Sequence, residues 1–176
     1  MSPAGPDGTL TPDAFPVHMP LATRWRDNDS YGHVNNAVYY EFFDTAVNTW
    51  LHKRVGAEAH DGDAIGVVAA SGCRYLRQAA YPEALVMGLA CERLGRSSVT
   101  YRLAVFGTRD AESGPSGVTA LAVGRFVHVY VSRDTRRPVP IPVAVREAVI
   151  KDLITEDPTD ADEPSVGHEF PTGEWV

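Results

Sequence analysis

The sequence predicts an α+β domain in which one antiparallel sheet of about five strands curls around a single long helix. One strand-like segment precedes a broad apolar helix, and four further segments with period-two alternation follow it, some close enough for hairpins. A run of strands after a helix, rather than strands and helices in alternation, favours an antiparallel sheet. With 176 residues and 44% hydrophobic content, the chain suits one domain with a substantial core.

The first two elements are a strand over residues 17–26 and a helix over residues 37–55. Pro20 interrupts the strand, which suits an edge position because proline has no N–H for a sheet partner. The helix is indicated by a polar stripe at helical spacing, on an otherwise largely apolar circumference. Such a wide apolar arc is typical of a helix wrapped by a sheet. The stripe consists of Glu41, Thr45, Asn48 and His52.

The remaining elements are four strands and a short closing helix. The strands are predicted over residues 65–77, 84–94, 98–106 and 118–131, with turn residues between them. Three prolines at alternate positions from Pro138 to Pro142 end the sheet, and a helix over residues 143–153 closes the domain. Asn35 or Asn36 is expected to cap the long helix, and Gly56 to stop it.

Charge divides the chain into a neutral body and an acidic end. Of 23 acidic residues, seven follow residue 155 with no Lys or Arg among them, so the body carries 16 acidic and 16 basic residues. We therefore expect a flexible lead-in over residues 1–16, one domain over residues 17–155 and an acidic, disordered tail over residues 156–176. A neutral body argues against nucleic-acid binding. Without a leader or a membrane-spanning run, a cytoplasmic protein with no membrane contact is expected.

The two cysteines, Cys73 and Cys91, lie in separate strand-like segments. Buried, reduced thiols are the preferred interpretation over a disulfide or a nucleophile. Neither cysteine belongs to a metal-ligand spacing, and His33 with Asp27 and Asp29 lacks a further ligand cluster. No metal and no cofactor are expected.

The segment from Arg26 to Asn36 carries the chemistry that the sequence suggests. It joins the first strand to the long helix, so its acids and amides should converge where the helix begins. A helix start has unpaired N–H groups and partial positive charge, which suit a carbonyl oxygen that is becoming an oxyanion. A neighbouring carboxylate, Asp29 or its rival Asp27, could attack or activate water. The combination indicates hydrolysis of an activated acyl bond.

The pattern Asp29-x-x-x-His33-Val34-Asn35-Asn36-x-x-Tyr39, between first strand and long helix, resembles the acyl-CoA thioesterases of the 4-hydroxybenzoyl-CoA thioesterase type, which have the hotdog fold. The resemblance implies that Asp29 is the catalytic acid, as nucleophile or as base toward water, and that the Asn36 backbone N–H donates to the thioester oxygen. It further implies that His33 and Asn35 order the loop or contact the acyl group, and that Tyr39 lines the acyl pocket.

The same resemblance implies an acyl-CoA or acyl-carrier-protein substrate and a homodimer or homotetramer with a shared active site. Four arginines, at positions 74, 77, 93 and 96, lie at strand ends or turns where they could meet the coenzyme's phosphates. The resemblance favours Arg93 and Arg96 among these arginines, together with the neighbouring Ser97. A solvated surface role is the alternative for each arginine.

Two other functions fit the scaffold. One is a hotdog hydratase or dehydratase acting on an enoyl thioester, and the other is a noncatalytic acyl-CoA-binding module. The spacing from Asp29 to His33 fits the thioesterase pattern better than the hydratase pattern, and retention of Asp29 argues against a noncatalytic module. No nucleophile elbow, phosphate-binding glycine loop or zinc-protease helix occurs in the sequence.

Overall fold

A computed structural model describes residues 10–57, 59, 62–107, 118 and 120–154. The order of elements and the hotdog architecture predicted from the sequence are confirmed: one sheet of five antiparallel strands accompanies one long helix. Short 3₁₀ turns at Pro12–Ala14 and Trp25–Asp27 flank the first strand. The main elements are β1 (Val17–Ala22), α1 (Asn36–Val55), β2 (Ala64–Tyr75), β3 (Ala84–Leu94), β4 (Ser98–Gly107), β5 (Ala120–Ser132) and α2 (Val143–Leu153).

The strands lie in the order β1-β3-β4-β5-β2, so β1 and β2 form the two edges of the sheet. Pro20 faces Val86 across the β1–β3 pair, and its edge position is the one predicted for a strand proline. The strand itself ends at Ala22, four residues earlier than expected, because the chain turns into the 3₁₀ segment Trp25–Asp27. The register of β2 against β5 shifts between Val68 and Ala70.

The main core lies between the inner face of the sheet and the two helices. Seven α1 side chains are buried there: Tyr39, Phe42, Phe43, Ala46, Val47, Trp50 and Leu51. Val145, Val149 and Leu153 of α2 join the same cluster. Gly124 of β5 lets α1 approach closely, because a Cβ at this position would lie 2.5 Å from the Phe43 ring.

His128 is a polar residue inside this core. Its side chain is 3% exposed and packs against the rings of Tyr101 and Phe126, with ring centroids 5.3 and 5.8 Å away. Within the described part of the chain, neither ring nitrogen has a hydrogen-bond partner. Burial lowers the pKa of His128 to about 4, while the charge of Asp44 opposes part of this effect.

A second, smaller cluster lies on the outer face of the sheet beneath the N-terminal segment. Phe15 is 2% exposed, packs edge-to-face on Phe106, and lies under the Arg102 guanidinium. Arg102 also donates to the carbonyl oxygen of Ala14. Residues 10–16, assigned to the lead-in by the sequence, therefore pack on the sheet. Residues 1–9 and the predicted tail lie outside the described residues.

Both cysteines are free thiols, and each is half-buried rather than fully buried as expected. Burial raises the pKa of Cys73 and of Cys91 to about 11, so both are protonated at neutral pH. Among the helices that the structure describes, none has the length and apolar character needed to cross a bilayer.

Candidate active site at the start of the long helix

The first half of the loop between β1 and α1 is held by an ion pair whose carboxylate is buried. The Asp27 carboxylate is 1% exposed and accepts hydrogen bonds from the Arg24 backbone N–H at 2.7 Å and from Arg24 Nε at 2.9 Å. The Arg24 guanidinium also contacts Glu41 of α1 at 2.7 Å. The Asp27 carbonyl accepts from the Asn35 N–H at 2.8 Å. Asp27 therefore closes the loop, and its carboxylate has no open side for a substrate.

The second half of the loop presents Asp29 instead. Asp29 Oδ1 accepts from the backbone N–H groups of Tyr31 at 2.8 Å and His33 at 3.3 Å. The Asp29 backbone N–H donates to the His33 carbonyl at 2.8 Å, and Gly32 makes the turn with a φ of 83°. The turn therefore fixes this partly exposed carboxylate through its backbone, without an ion pair among the described residues.

The helix start lies directly after this turn. Asn35 has a φ of −59° and a ψ of 139°, and its Oδ1 accepts from the Ala37 N–H at 2.9 Å, so of the two predicted cap residues Asn35 is the N-cap. Asn36 is the first residue of α1 and lines the same cleft as Asp29. The first N–H groups of a helix have no partner within it, which makes this position suited to a developing negative charge.

Two tyrosines connect the helix start to the end of β2. Tyr39, one turn into α1, is 2% exposed and packs edge-to-face on Tyr75, with ring centroids 5.3 Å apart. The Tyr75 hydroxyl donates to the Asn36 carbonyl at 3.0 Å. Burial raises the pKa of Tyr39 to about 12 and also raises that of Tyr75. Both phenols therefore stay neutral at physiological pH and do not serve as bases.

These groups line one cleft of about 470 Å³. It brings together four of the predicted site residues, namely Asp29, His33, Asn36 and Tyr39, while Asn35 caps the helix beside them. The lining residues that sequence reasoning did not select are Tyr31, Val34, Tyr75, Leu76, Arg77 and Gln78. Of the four arginines considered from the sequence, only Arg77 lines this cleft among the described residues.

Three predicted substrate contacts, Arg93, Arg96 and Ser97, lie elsewhere. Ala84 at the start of β3 pairs with Ala22 beside the site loop, whereas these residues lie at the opposite end of the strand and in the following turn. Ten residue steps of a strand span about 34 Å. The carbonyls of Arg96 and Ser97 accept from Ile141 and Tyr130 N–H groups at 2.9 and 2.7 Å. A single chain thus keeps this turn away from Asp29.

A metal centre has no support in the described part of the chain, where no three His, Cys, Asp or Glu side chains lie close enough together to hold an ion. The chemical groups of the cleft are a carboxylate, an imidazole, an amide, phenols and a guanidinium. The cleft can therefore offer a nucleophile or base next to hydrogen-bond donors at a helix start.

Fold and cleft together define a hotdog domain with an open carboxylate beside the first turn of its central helix. Residues 23–149 match the model of the thioesterase-like superfamily, and the chain belongs to that family. No curated protein matches the chain significantly. The resemblance to the 4-hydroxybenzoyl-CoA type in particular stays a prediction, because the family match is broader.

Solved structures give the same family. The chain is 45% identical to the PA5185 protein of Pseudomonas aeruginosa PAO1, with a TM-score of 0.74 over 84% of this chain and 98% of that one. It is 31% identical to a thioesterase of Thermus thermophilus complexed with coenzyme A and zinc, with a TM-score of 0.61 over 78% and 94%. A 1,4-dihydroxy-2-naphthoyl-CoA thioesterase from Synechocystis, 16% identical with a TM-score of 0.66 over 84% and 98%, shares the fold.

Proposed function

We propose that this protein hydrolyses a CoA thioester to a free acid and CoA, with Asp29 as nucleophile or general base. The observation that carries the proposal is the pairing of Asp29 with Asn36 in one cleft at the helix start, while Asp27 is sealed in an ion pair. Membership of the thioesterase-like superfamily supports thioester hydrolysis. The coenzyme A bound to the Thermus relative supports CoA as the carrier.

In this mechanism the thioester carbonyl oxygen accepts a hydrogen bond from the Asn36 N–H, and the helix dipole stabilises the charge that develops on it. Within the described residues both hydrogen bonds to the Asp29 carboxylate reach Oδ1, so Oδ2 is the oxygen that remains for chemistry. Oδ2 either attacks the carbonyl carbon, giving an anhydride that water then opens, or takes a proton from the attacking water.

The leaving group needs little help in either route. A thiol has a pKa of about 8.5 by analogy with cysteine, so the C–S bond can break to release a thiolate without protonation of the sulfur beforehand. No acid is therefore needed at the sulfur. The phenols of Tyr39 and Tyr75 are weak acids because burial raises their pKa values, and we assign them to the lining of the acyl pocket. His33 and Asn35 hold the loop and the helix start in place.

A second copy of the chain completes the proposed substrate site. Arg93, Arg96 and Ser97 can contact the carrier's phosphates only if another subunit brings its turn to the cleft, because a single chain separates the two. Edge strand β2 leads into the cleft-lining residues 75–78 and leaves its outer main-chain groups for pairing. We therefore propose at least a homodimer.

Asp29→Asn tests the proposed reaction. The substitution keeps the shape and the hydrogen bonds of the turn but removes the charge, and we expect hydrolysis of a panel of acyl- and aroyl-CoA esters to fall by at least about 1,000-fold, since one residue supplies the attacking or activating group. Release of free thiol is the readout. Asp134→Asn, in an exposed turn after β5, is the matched control and should match the parent.

Three outcomes would contradict the proposal. An Asp29→Asn variant as fast as the parent would remove Asp29 from the mechanism. Binding of acyl-CoA by the parent without any thiol release would favour a noncatalytic module. Hydration of crotonyl-CoA, detected as a loss of its ultraviolet absorbance without release of thiol, would favour a hydratase.

A further inference from the structure

The loop around the cleft carries a pair of exposed aromatic rings that the proposed mechanism does not use. Trp25 is 80% exposed and Tyr81 is 39% exposed, and their rings meet edge-to-face with centroids 5.9 Å apart. Exposed aromatic groups of this size, clustered rather than scattered, mark binding surfaces more often than ordinary surface. Because most of the Trp25 side chain is exposed, its ring is accessible to a flat partner.

This aromatic pair is fixed in place by the same contacts that build the site. Trp25 begins the 3₁₀ turn that the Arg24–Asp27 ion pair closes. The backbone N–H of Tyr81 donates to Asn28 Oδ1 at 3.0 Å, which ties the two segments together beside Asp29. The backbone that carries the two rings is therefore held in place, which lowers the ordering cost for a ligand that stacks on them.

Two guanidinium groups lie on the segments that carry the pair, near the carboxylates of Glu41 and Asp29. Arg26 follows Trp25, with a side chain that is 73% exposed and lies 3.8 Å from Glu41. Arg77, on the segment that leads to Tyr81, lines the cleft. An indole face beside guanidinium groups is suited to a ligand that combines a flat base with phosphates, since bases stack on aromatic rings and guanidinium groups bind phosphate oxygens.

The distance to the cleft also fits such a ligand. Trp25 and Asp29 are four residues apart, so their Cα atoms lie within about 14 Å of each other. CoA carries its base and phosphates at one end of a long flexible arm and the thioester at the other. Such an arm can span this separation.

We propose that Trp25 and Tyr81 form a stacking platform for the nucleotide base of the substrate's CoA group. This inference rests on the proposed function and deepens it, because it makes free CoA the carrier rather than a carrier protein. A carrier protein presents the same phosphopantetheine arm but has no base to stack.

The test compares two thioesters of the same acid, one on CoA and one on pantetheine, which lacks the nucleotide. Loss of one base-stacking contact corresponds to at least about a fivefold change, and tenfold lies within the lower half of the known range. Trp25→Ala should therefore lower the ratio of kcat/KM for CoA over pantetheine about tenfold, through a higher KM for the CoA ester. Trp25→Phe, which keeps a ring, should recover most of the ratio, and Ile150→Ala on the exposed side of α2 should match the parent.

A binding measurement separates this inference from the proposed reaction. Calorimetric titration with adenosine 3′,5′-bisphosphate should show binding to the parent and at least about tenfold weaker binding to Trp25→Ala, whether or not any thioester is hydrolysed. Equal ratios in the parent and in Trp25→Ala, or equal bisphosphate affinities, would overturn the platform even if Asp29→Asn abolishes hydrolysis. A change of oligomeric mass in Trp25→Ala with unchanged bisphosphate affinity would also overturn it, by assigning the rings to a subunit contact.

Discussion

The two halves of the loop before α1 use the same residue type for opposite purposes. Asp27 is buried, is bonded by the Arg24 backbone and guanidinium, and is not among the residues that line the cleft. Among the described residues, the carboxylate of Asp29, two positions later, accepts from backbone N–H groups of its own turn, and Asp29 lines the cleft. The difference shows that Asp27 stabilises the loop, so Asp29 is left open to the cleft.

The largest expected effect concerns the open half. Asn36→Pro removes the backbone N–H at the first helical position, where proline is well tolerated, and the preceding residue has a φ of −59° and a ψ of 139°, which suit a following proline. If this N–H stabilises the oxyanion, kcat should fall by about 100- to 1,000-fold.

Asn36→Ala is the matched control for this prediction, because it removes the side chain and keeps the N–H. Thiol release under single-turnover and steady-state conditions measures both variants, and circular dichroism checks that α1 persists. Equal rates in the Pro and Ala variants would show that the Asn36 N–H takes no part in the reaction.

The closed half should respond in stability instead. Asp27→Asn breaks a pair whose carboxylate is buried, and Arg24 can regain only part of its hydration because its side chain is already 41% exposed. Because Arg24 keeps its contact with Glu41, we expect a loss of about 2 kcal/mol in the free energy of unfolding, within the range for hydrogen bonds to a charged group rather than for a fully buried pair. Urea unfolding monitored by tryptophan fluorescence is the measurement. Asp29→Asn should cost less than about 1 kcal/mol, and equal costs would contradict the division between the two halves.

The comparison of Asp27 with Asp29 can be extended to a range of pH values once the contribution of the buried His128 to stability is known. The pKa of His128 is lowered to about 4 in the folded protein, against an ordinary value of about 6.5 when unfolded. The unfolded chain therefore binds this proton first, so stability is full above about pH 6.5 and falls as the pH drops toward 4. At pH 5 this group alone should cost about 2 kcal/mol.

His128→Phe supplies the control, because a phenyl ring suits the aromatic surroundings of Tyr101 and Phe126 and does not titrate. Urea unfolding at pH 8 and pH 5 should show a smaller acid-side loss in the variant by about this amount. An unchanged pH dependence would mean that His128 is already charged in the folded protein. Activity profiles below pH 6.5 should be interpreted only after this correction.

Local patterns in the sequence were sufficient to predict the helices and most strands. The bounds of α2 agree with the prediction, and α1 begins at Asn36 beside the predicted cap, because apolar periodicity and capping residues act over a few positions. The site was predictable only where it is continuous in sequence, from Asp29 to Tyr39. Each of these signals is read within one turn or one helix.

The rest of the site depends on which strand ends meet, and this is a long-range property. Residues 75–78 reach the cleft because β2 is the far edge of the order β1-β3-β4-β5-β2 and ends beside the helix start. Nothing local distinguishes Arg77 from Arg93, since both follow or end a strand. The burial of Asp27 was equally unpredictable from the sequence, because it depends on how Arg24 folds back across the 3₁₀ turn.

Gly124, which has no Cβ, determines how closely α1 and the candidate site at its start lie to the sheet. Phe43 presses directly on that backbone, so any larger residue there would lift α1 from the sheet, and with it the Asn36 N–H that begins the same rigid rod. Such a displacement of α1, made far from Asp29, would change the alignment of the Asn36 N–H with the proposed nucleophile. In the proposed mechanism, the position of the oxyanion-binding N–H therefore also depends on β5, which contributes no residue to the lining of the cleft.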